Sequence, residues 1–223
     1  MNGGEHYDLV CIGTGPAGQR AAVQAAKLGR QVAVVEKRRE VGGICLDTGT
    51  IPSKTFREAV LAHLARCRVD DGPPSVGELL ARVAEVVGRE ARVIADQLRR
   101  NGIRVVRGAA RFVDPHTLVV AGGTGADGDV TLAADRFLVA VGTRPAPPPG
   151  VAVDGASVLT SDEIVCLDRI PRTMIVVGAG VIGIEYASMF AALGTEVTLV
   201  DRQPRPLEFL DHEIVDELIH QMR

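Results

Sequence analysis

Apolar residues in this chain come in short blocks separated by glycine-rich breaks. Asp8-Leu-Val-Cys-Ile12 is one such block, stopped by Gly13-Thr-Gly-Pro-Ala-Gly18. An alanine-rich stretch from Pro16 to Leu28 follows, with proline at its start and Gly29 placed to cap it, which predicts a helix. Gln31-Val-Ala-Val-Val-Glu36 then reads as a buried strand ending in an acid. Strand, turn, helix and strand in this order predict a βαβ unit with a parallel sheet and a right-handed crossover.

Beyond a glycine-rich loop, a helical pattern opens at Pro52 and runs to about Arg66. A turn-rich break from Asp70 to Gly77 separates it from a second helical pattern, from about Val76 to Arg100, closed by Asn101-Gly102. Shorter β-like runs follow at Arg104 to Arg107, Arg111 to Val113, Thr117 to Val120, Val130 to Ala133 and Phe137 to Val141. With Gly122 to Asp129 read as a hairpin loop, these predict a small antiparallel meander beside the parallel sheet. Pro145 to Gly150 reads as a link between domains.

The opening pattern then restarts. Met174-Ile-Val-Val177 is a strand-like block, Gly178-Ala-Gly-Val-Ile-Gly183 a second glycine turn, and Val181 to Leu193 a helical stretch ended by Gly194. Thr195 to Val200 is a strand that ends at Asp201, and Asp211 to Arg223 begins another helix. From Gly13 to Glu36 is 23 positions, and from Gly178 to Asp201 is again 23. The fold class predicted is α/β, with one Rossmann-like domain followed by the start of another.

Composition removes several alternatives. A chain of 223 residues, 46% hydrophobic and of net charge −3, is long enough for one large domain or one domain and part of a second. No block of like charge marks a nucleic-acid or membrane surface, and no apolar run is long enough to span a bilayer. The polar, acidic start shows no signal peptide, so a cytoplasmic setting is expected. The four cysteines, Cys11, Cys45, Cys67 and Cys166, have no metal-ligand spacing, which fits a reducing compartment. His63, His116, His212 and His220 form no pattern and read as structural or surface residues.

Each G-x-G-x-x-G has a physical purpose. The first glycine allows a tight turn, the second lets a pyrophosphate approach the backbone, and the third lets helix and strand pack closely. The helix N-terminus then offers N–H groups and a positive dipole end to the phosphates. The acid ending the second strand, Glu36 or Asp201, is placed to accept hydrogen bonds from ribose hydroxyls. Two such units predict two nucleotides on one chain. Asp201 disfavours a 2′-phosphate, whereas Arg202 and Arg205 would accommodate one.

The segment Val41-Gly-Gly-Ile-Cys-Leu-Asp-Thr-Gly-Thr-Ile-Pro-Ser-Lys54 carries more specific information. Together with Gly13 to Gly18 and Gly142-Thr-Arg-Pro145, it resembles the pyridine nucleotide–disulfide oxidoreductase family, over essentially the whole chain. The resemblance implies that the first unit binds FAD and the second NAD or NADP. In that family the loop holds two cysteines that form a redox disulfide beside the flavin. Here Cys45 matches the first, but Thr50 stands in the place of the second, and a hydroxyl forms no disulfide. The same replacement, in the form G-T-I-P-S-K, is found in the branch formed by the soluble pyridine nucleotide transhydrogenases. The segments from Gly49 to Val60 and from Val181 to Gly194 are similar to that branch.

The mechanism this resemblance implies needs no disulfide: hydride passes from NADPH to the flavin and from there to NAD+. It also implies an active-site pair, Lys54 beside the isoalloxazine and Glu185 from the second nucleotide helix. FAD contacts are expected at Gly13, Gly15, Gly18, Glu36, Lys37, Gly43, Cys45, Thr50, Lys54, Ala110, Gly142 and Thr143. Nicotinamide nucleotide contacts are expected at Gly178, Gly180, Gly183, Glu185 and Asp201, with no metal site.

Residues 1–148 are expected to form the FAD-binding part and 149–223 an incomplete NAD(P)-binding domain. A C-terminal dimerisation domain would be absent, so a homodimer is expected only of a longer form. Two alternatives stand beside the transhydrogenase reading. One is a non-catalytic nucleotide-binding fragment; the other is a dihydrolipoyl dehydrogenase-like flavoprotein, disfavoured by Thr50.

Overall fold

The computed structural model describes residues 5–66, 75–122 and 128–222. The turn-rich break and the hairpin loop expected from the sequence fall largely on residues 67–74 and 123–127, outside the described residues. The chain divides into two compact units, Met1–Pro52 with Glu85–Ala146, and Ser53–Ala84 with Pro147–Arg223.

In the first unit, β1 (Glu5–Ile12), α1 (Pro16–Lys27) and β2 (Val32–Glu36) form the βαβ element predicted from the opening pattern. A short helix after Gly42-Gly43, α2 (Ile44–Asp47), and the start of α3 (Thr50–Arg66) follow it. The long α4 (Val76–Arg100) leads back into β3 (Arg104–Arg107), β4 (Ala109–Asp114), β5 (Thr117–Ala121) and β6 (Val130–Val139). All six strands belong to one sheet, in the order β3-β2-β1-β6-β5-β4. From β3 to β6 the pairing is parallel, and from β6 to β4 it is antiparallel.

Two expectations need correction here. The meander does not lie beside the parallel sheet but continues it. The separate runs Val130 to Ala133 and Phe137 to Val141 are one ten-residue strand. The polar stretch Asp135-Arg136 resembles a break in the sequence, yet the backbone runs through it, because β6 pairs with β1 from Leu132 to Val139. Its N-terminal part pairs with β5 on the other side, Val130 to Ala133 against Val120 to Thr117.

Alternation along the strands divides the core into two layers. On one face Val10, Ala33 and Val35 pack with Leu118, Val120 and Leu132 from the meander. On the other, Cys11, Val32 and Val34 meet Ala22 and Val23 of α1 and Leu98 of α4. Because β2 is covered on both faces, all five of its residues are buried, which explains its unbroken apolar sequence.

The second unit repeats the βαβ construction with β7 (Thr173–Val177), α5 (Val181–Ala192) and β8 (Glu196–Val200), followed by α6 (His212–Met222). A single 3-10 turn at Ile164–Cys166 precedes it. Among the described residues this sheet has two strands, and one of its faces is open: Ile175 and Val177 are 72% and 73% exposed. The other face is covered by α5, whose Phe190 is fully buried and lies 5.8 Å, ring centroid to centroid, from Phe56 of α3. Phe190→Ala removes that ring and is expected to cost about 3–5 kcal/mol. A urea titration followed by far-ultraviolet circular dichroism checks this; an unmoved midpoint would show that the ring carries no packing energy.

Candidate functional site

The two glycine turns obey one set of steric rules. At Gly13 the backbone is in the left-handed region (φ 103°), and a Cβ would lie 2.3 Å from the carbonyl oxygen of Ala140. Its N–H donates to the carbonyl of Val35 at 2.8 Å, which ties the turn to the end of β2. A Cβ on Gly18 would fall 1.9 Å from the carbonyl oxygen of Gly13, so helix and turn are in direct backbone contact there. The second turn repeats this: Gly178 has φ 110° and donates to Val200 at 2.8 Å. A Cβ on Gly183 would meet the Gly178 oxygen at 2.0 Å.

The middle glycines are different. Gly15 (φ −63°) and Gly180 (φ −80°) have conformations open to any residue. A Cβ on Gly15 would find its nearest neighbour, the Cα of Gly43, at an ordinary 3.9 Å, and one on Gly180 would find nothing within 4 Å. Neither backbone strain nor packing within the protein requires glycine at these two positions. A group that approached the backbone from outside would, and both glycines are also the N-caps of helices that lack a side-chain cap. A phosphate fits this arrangement, since it accepts from the N–H groups that the cap leaves unfilled.

The strand-terminal acids hold the turns from beneath. Glu36 is only 5% exposed and receives three hydrogen bonds: from Thr14 N at 3.1 Å, from the Thr14 hydroxyl, and from Arg38 N at 2.9 Å. The Thr14 hydroxyl in turn accepts from Gly42 N at 3.1 Å, which joins the first turn to the loop before α2. Asp201 receives Ala179 N and, at 2.7 Å, Gln203 N. Its pKa is held below the usual carboxylate value by those two N–H donors, Gln203 first, with the Arg202 charge adding to them. Thr14 and Ala179 occupy equivalent places, so the second turn lacks the hydroxyl that reinforces the first. A carboxylate has about four acceptor positions, so both acids retain capacity for a ribose hydroxyl.

Other residues singled out by the sequence fall as follows. Gly43 (φ 65°) caps α2, and its own Cβ would lie 2.6 Å from Gly15 Cα, so the first turn and the Val41–Lys54 segment touch backbone to backbone. Cys45 lies on α2 as a half-buried free thiol. Asp47 of the same helix pairs with Arg38. Thr50 is the first residue of α3. Gly142 (φ 70°) lies near the Ile44 side chain, and Thr143 beside it is exposed. Lys37 is exposed, and Ala110 pairs with Val120 inside the meander. Burial pushes the Cys11 thiol up to about 11, so it is a core residue without thiolate character; Cys67 lies outside the described residues.

In the second unit Lys54 and Glu185, 131 positions apart, form an ion pair between α3 and α5. The side chains are 50% and 33% exposed, and Phe56 and Phe190 pack between the same two helices. Two features escaped the sequence reading. Thr14 links acid, turn and loop, but a threonine between two glycines gives no sign of it. Leu207 has φ 50° and donates to the Ala179 carbonyl at 3.3 Å, a return of the chain that hydrophobic spacing does not encode.

Comparison with known proteins agrees with this geometry. The chain belongs to the pyridine nucleotide-disulphide oxidoreductase family, which it matches over residues 7–223. It is 49% identical over 226 residues to a soluble pyridine nucleotide transhydrogenase of Mycobacterium tuberculosis, covering 97% of this chain and 48% of that protein. A soluble pyridine nucleotide transhydrogenase of Chromohalobacter salexigens is 42% identical over 98% of this chain and 48% of its own length. Among solved structures, the HOCl-induced flavoprotein disulfide reductase RclA of Escherichia coli superposes with a TM-score of 0.84 at 28% identity, covering 97% of this chain and 47% of that one. The chain thus spans about half the length of the curated relatives it matches. Among the described residues no cluster of metal-ligating side chains occurs, and no helix is long and apolar enough to cross a membrane.

The steric contrast between the glycines separates binding from folding. Gly15→Ala is expected to melt within a few degrees of the parent but lose nucleotide binding at the first turn. Gly18→Ala meets backbone and is expected to lose several kcal/mol of stability. Thermal melts and flavin-fluorescence titrations of both variants check this, and equal melting losses would contradict it.

Proposed function

We propose that this chain carries the FAD-binding part and the beginning of the NAD(P)-binding part of a soluble pyridine nucleotide transhydrogenase, which moves hydride from NADPH to NAD+ without a redox disulfide. The observation that carries the reading is the repeated turn whose middle glycine, Gly15 or Gly180, neither strain nor packing explains. Two such turns suit two adenine dinucleotides, and the names of the relatives supply the reaction. Bound FAD would supply the hydride-accepting and hydride-donating chemistry.

On this reading the protein's own residues bind and orient. Gly13 and Gly18 shape the first turn, Gly15 leaves space for a pyrophosphate, and Glu36 faces the ribose end. Gly43, Cys45, Thr50, Gly142 and Thr143 belong to the segments that would border the ring system, with Lys37 and Ala110 towards the adenosine end. Lys54, kept in place by Glu185, would supply a positive charge to a reduced, anionic ring. Gly178, Gly180, Gly183 and Asp201 would hold the nicotinamide nucleotide. Thr50 makes a disulfide with Cys45 impossible, so the thiol is left to packing. Residues 1–148 and 149–223 are the corresponding parts of the two domains, and dimerisation would belong to the longer form.

A second reading, a nucleotide-binding chain without turnover, is favoured by the open apolar face of the two-stranded sheet at Ile175 and Val177. An absorption spectrum of the purified chain, followed by NADPH and then NAD+, distinguishes the two. A flavin spectrum that bleaches and returns is expected for the transhydrogenase. A flavin spectrum that never bleaches would favour the second reading, and absence of any flavin after reconstitution would overturn the FAD assignment. In a form that turns over, Cys45→Ser is expected to keep hydride transfer within a few-fold, whereas a loss of ~100-fold would sink the disulfide-free mechanism.

A further inference from the structure

The helix α2 is a single turn, too short to hold itself. Its own backbone bonds return only to the carbonyls of Gly43 and Ile44, so its place depends on what fastens it from outside. Leu46 is buried and supplies packing. At the N-terminal end, the Gly42 N–H donates to the Thr14 hydroxyl at 3.1 Å. At the C-terminal end, Asp47 pairs with Arg38. The next side chain does not share that task, because the Thr48 hydroxyl is buried with no hydrogen-bond partner.

Arg38 is well placed to carry this bond. Its N–H donates to Glu36 at 2.9 Å, and its carbonyl accepts from the Arg107 guanidinium at 2.9 Å, so its backbone is held on both sides. Its side chain is 31% exposed, against 55% for Asp47. A guanidinium that starts from a fixed, half-buried base gives up less freedom on pairing than one on a loose loop.

Both fasteners of α2 lead to the same carboxylate. Glu36 accepts the N–H and the hydroxyl of Thr14 as well as the Arg38 N–H. A closed ring of bonds therefore runs from Glu36 through Thr14 and Gly42 into α2, and from Asp47 through Arg38 back to Glu36. On the proposed reading, the acid at the ribose end and the helix that bears Cys45 are two points on that ring. Gly43, which lies within it, is pressed against Gly15, where a pyrophosphate would approach.

We propose that the Arg38–Asp47 pair is a latch that retains FAD, holding α2 against the first glycine turn and so slowing release of the cofactor. This rests on the FAD reading of that turn. Arg38 and Asp47 are then positioning residues, which act through α2.

Two measurements on the full chain test it, with Arg38→Gln, Asp47→Asn and the double variant. Without FAD, the rate of Cys45 alkylation by iodoacetamide, resolved peptide by peptide in a mass spectrometer, reads the hold on α2. With FAD, the rate of flavin release into an excess of a flavin-scavenging apoprotein, followed by fluorescence, reads the latch. Each single variant is expected to speed both about 2- to 5-fold, the range for a pair of this exposure, and the double variant no more than either. Added salt should speed release from the parent more than from the double variant, which a general loss of packing would not produce. Additive effects, unchanged release, or equal salt dependence would overturn the proposal, and so would faster alkylation with unchanged release. If the parent takes up no FAD on reconstitution, the FAD reading falls and the latch with it, whereas the alkylation rates still report whether the pair holds α2.

Discussion

Both halves of this chain depend on a carboxylate at the end of a strand that accepts the backbone N–H of a glycine turn. The turn that opens α1 would otherwise leave the Thr14 N–H buried without a partner, and Glu36 would be a buried charge stripped of both Thr14 donors, with the Arg38 N–H left to it. Either alone is costly, and each removes the cost of the other. With the turn fixed to the end of β2, Gly15 is presented to solvent at a helix N-terminus, and the Thr14 hydroxyl can hold the next loop through Gly42. The position of α2, and with it Cys45, follows from that chain of bonds.

The second unit has the same bond between Asp201 and Ala179 but a barer setting. Alanine replaces threonine, the acid is exposed, and the sheet has two strands instead of six. On the proposed reading this contrast has a functional sense. A turn stitched into a closed core suits a nucleotide that stays, whereas an exposed turn with a strapped loop suits nucleotides that come and go.

How much could be read beforehand depended on how local the determinants were. The βαβ units, both glycine turns and α4 were legible because apolar spacing, glycines and prolines encode them within a few residues. The continuity of β6 was not, because Asp135 and Arg136 look like a strand end and only pairing with β1 carries the backbone through them. The helix α2 was hidden in a glycine-rich loop, where the contact between Gly43 and Gly15 and the bond from Gly42 to Thr14 give it a place. The Lys54–Glu185 pair was legible only through family resemblance, since nothing in either local sequence points across 131 positions. Leu207 carried no signal at all, because its place in the turn is a matter of backbone angle.

The strand β6 has one further consequence. It is at once the last parallel strand and the first antiparallel one, and around Ala133 it is bonded to neighbours on both sides. Neither part of the sheet can open without breaking its bonds to this strand, so the meander and the βαβ layer form a single cooperative block. Backbone amides in the middle of β6 should then exchange with deuterated solvent only through the rare opening of the whole first unit. Their rate would report the stability of that unit as a whole.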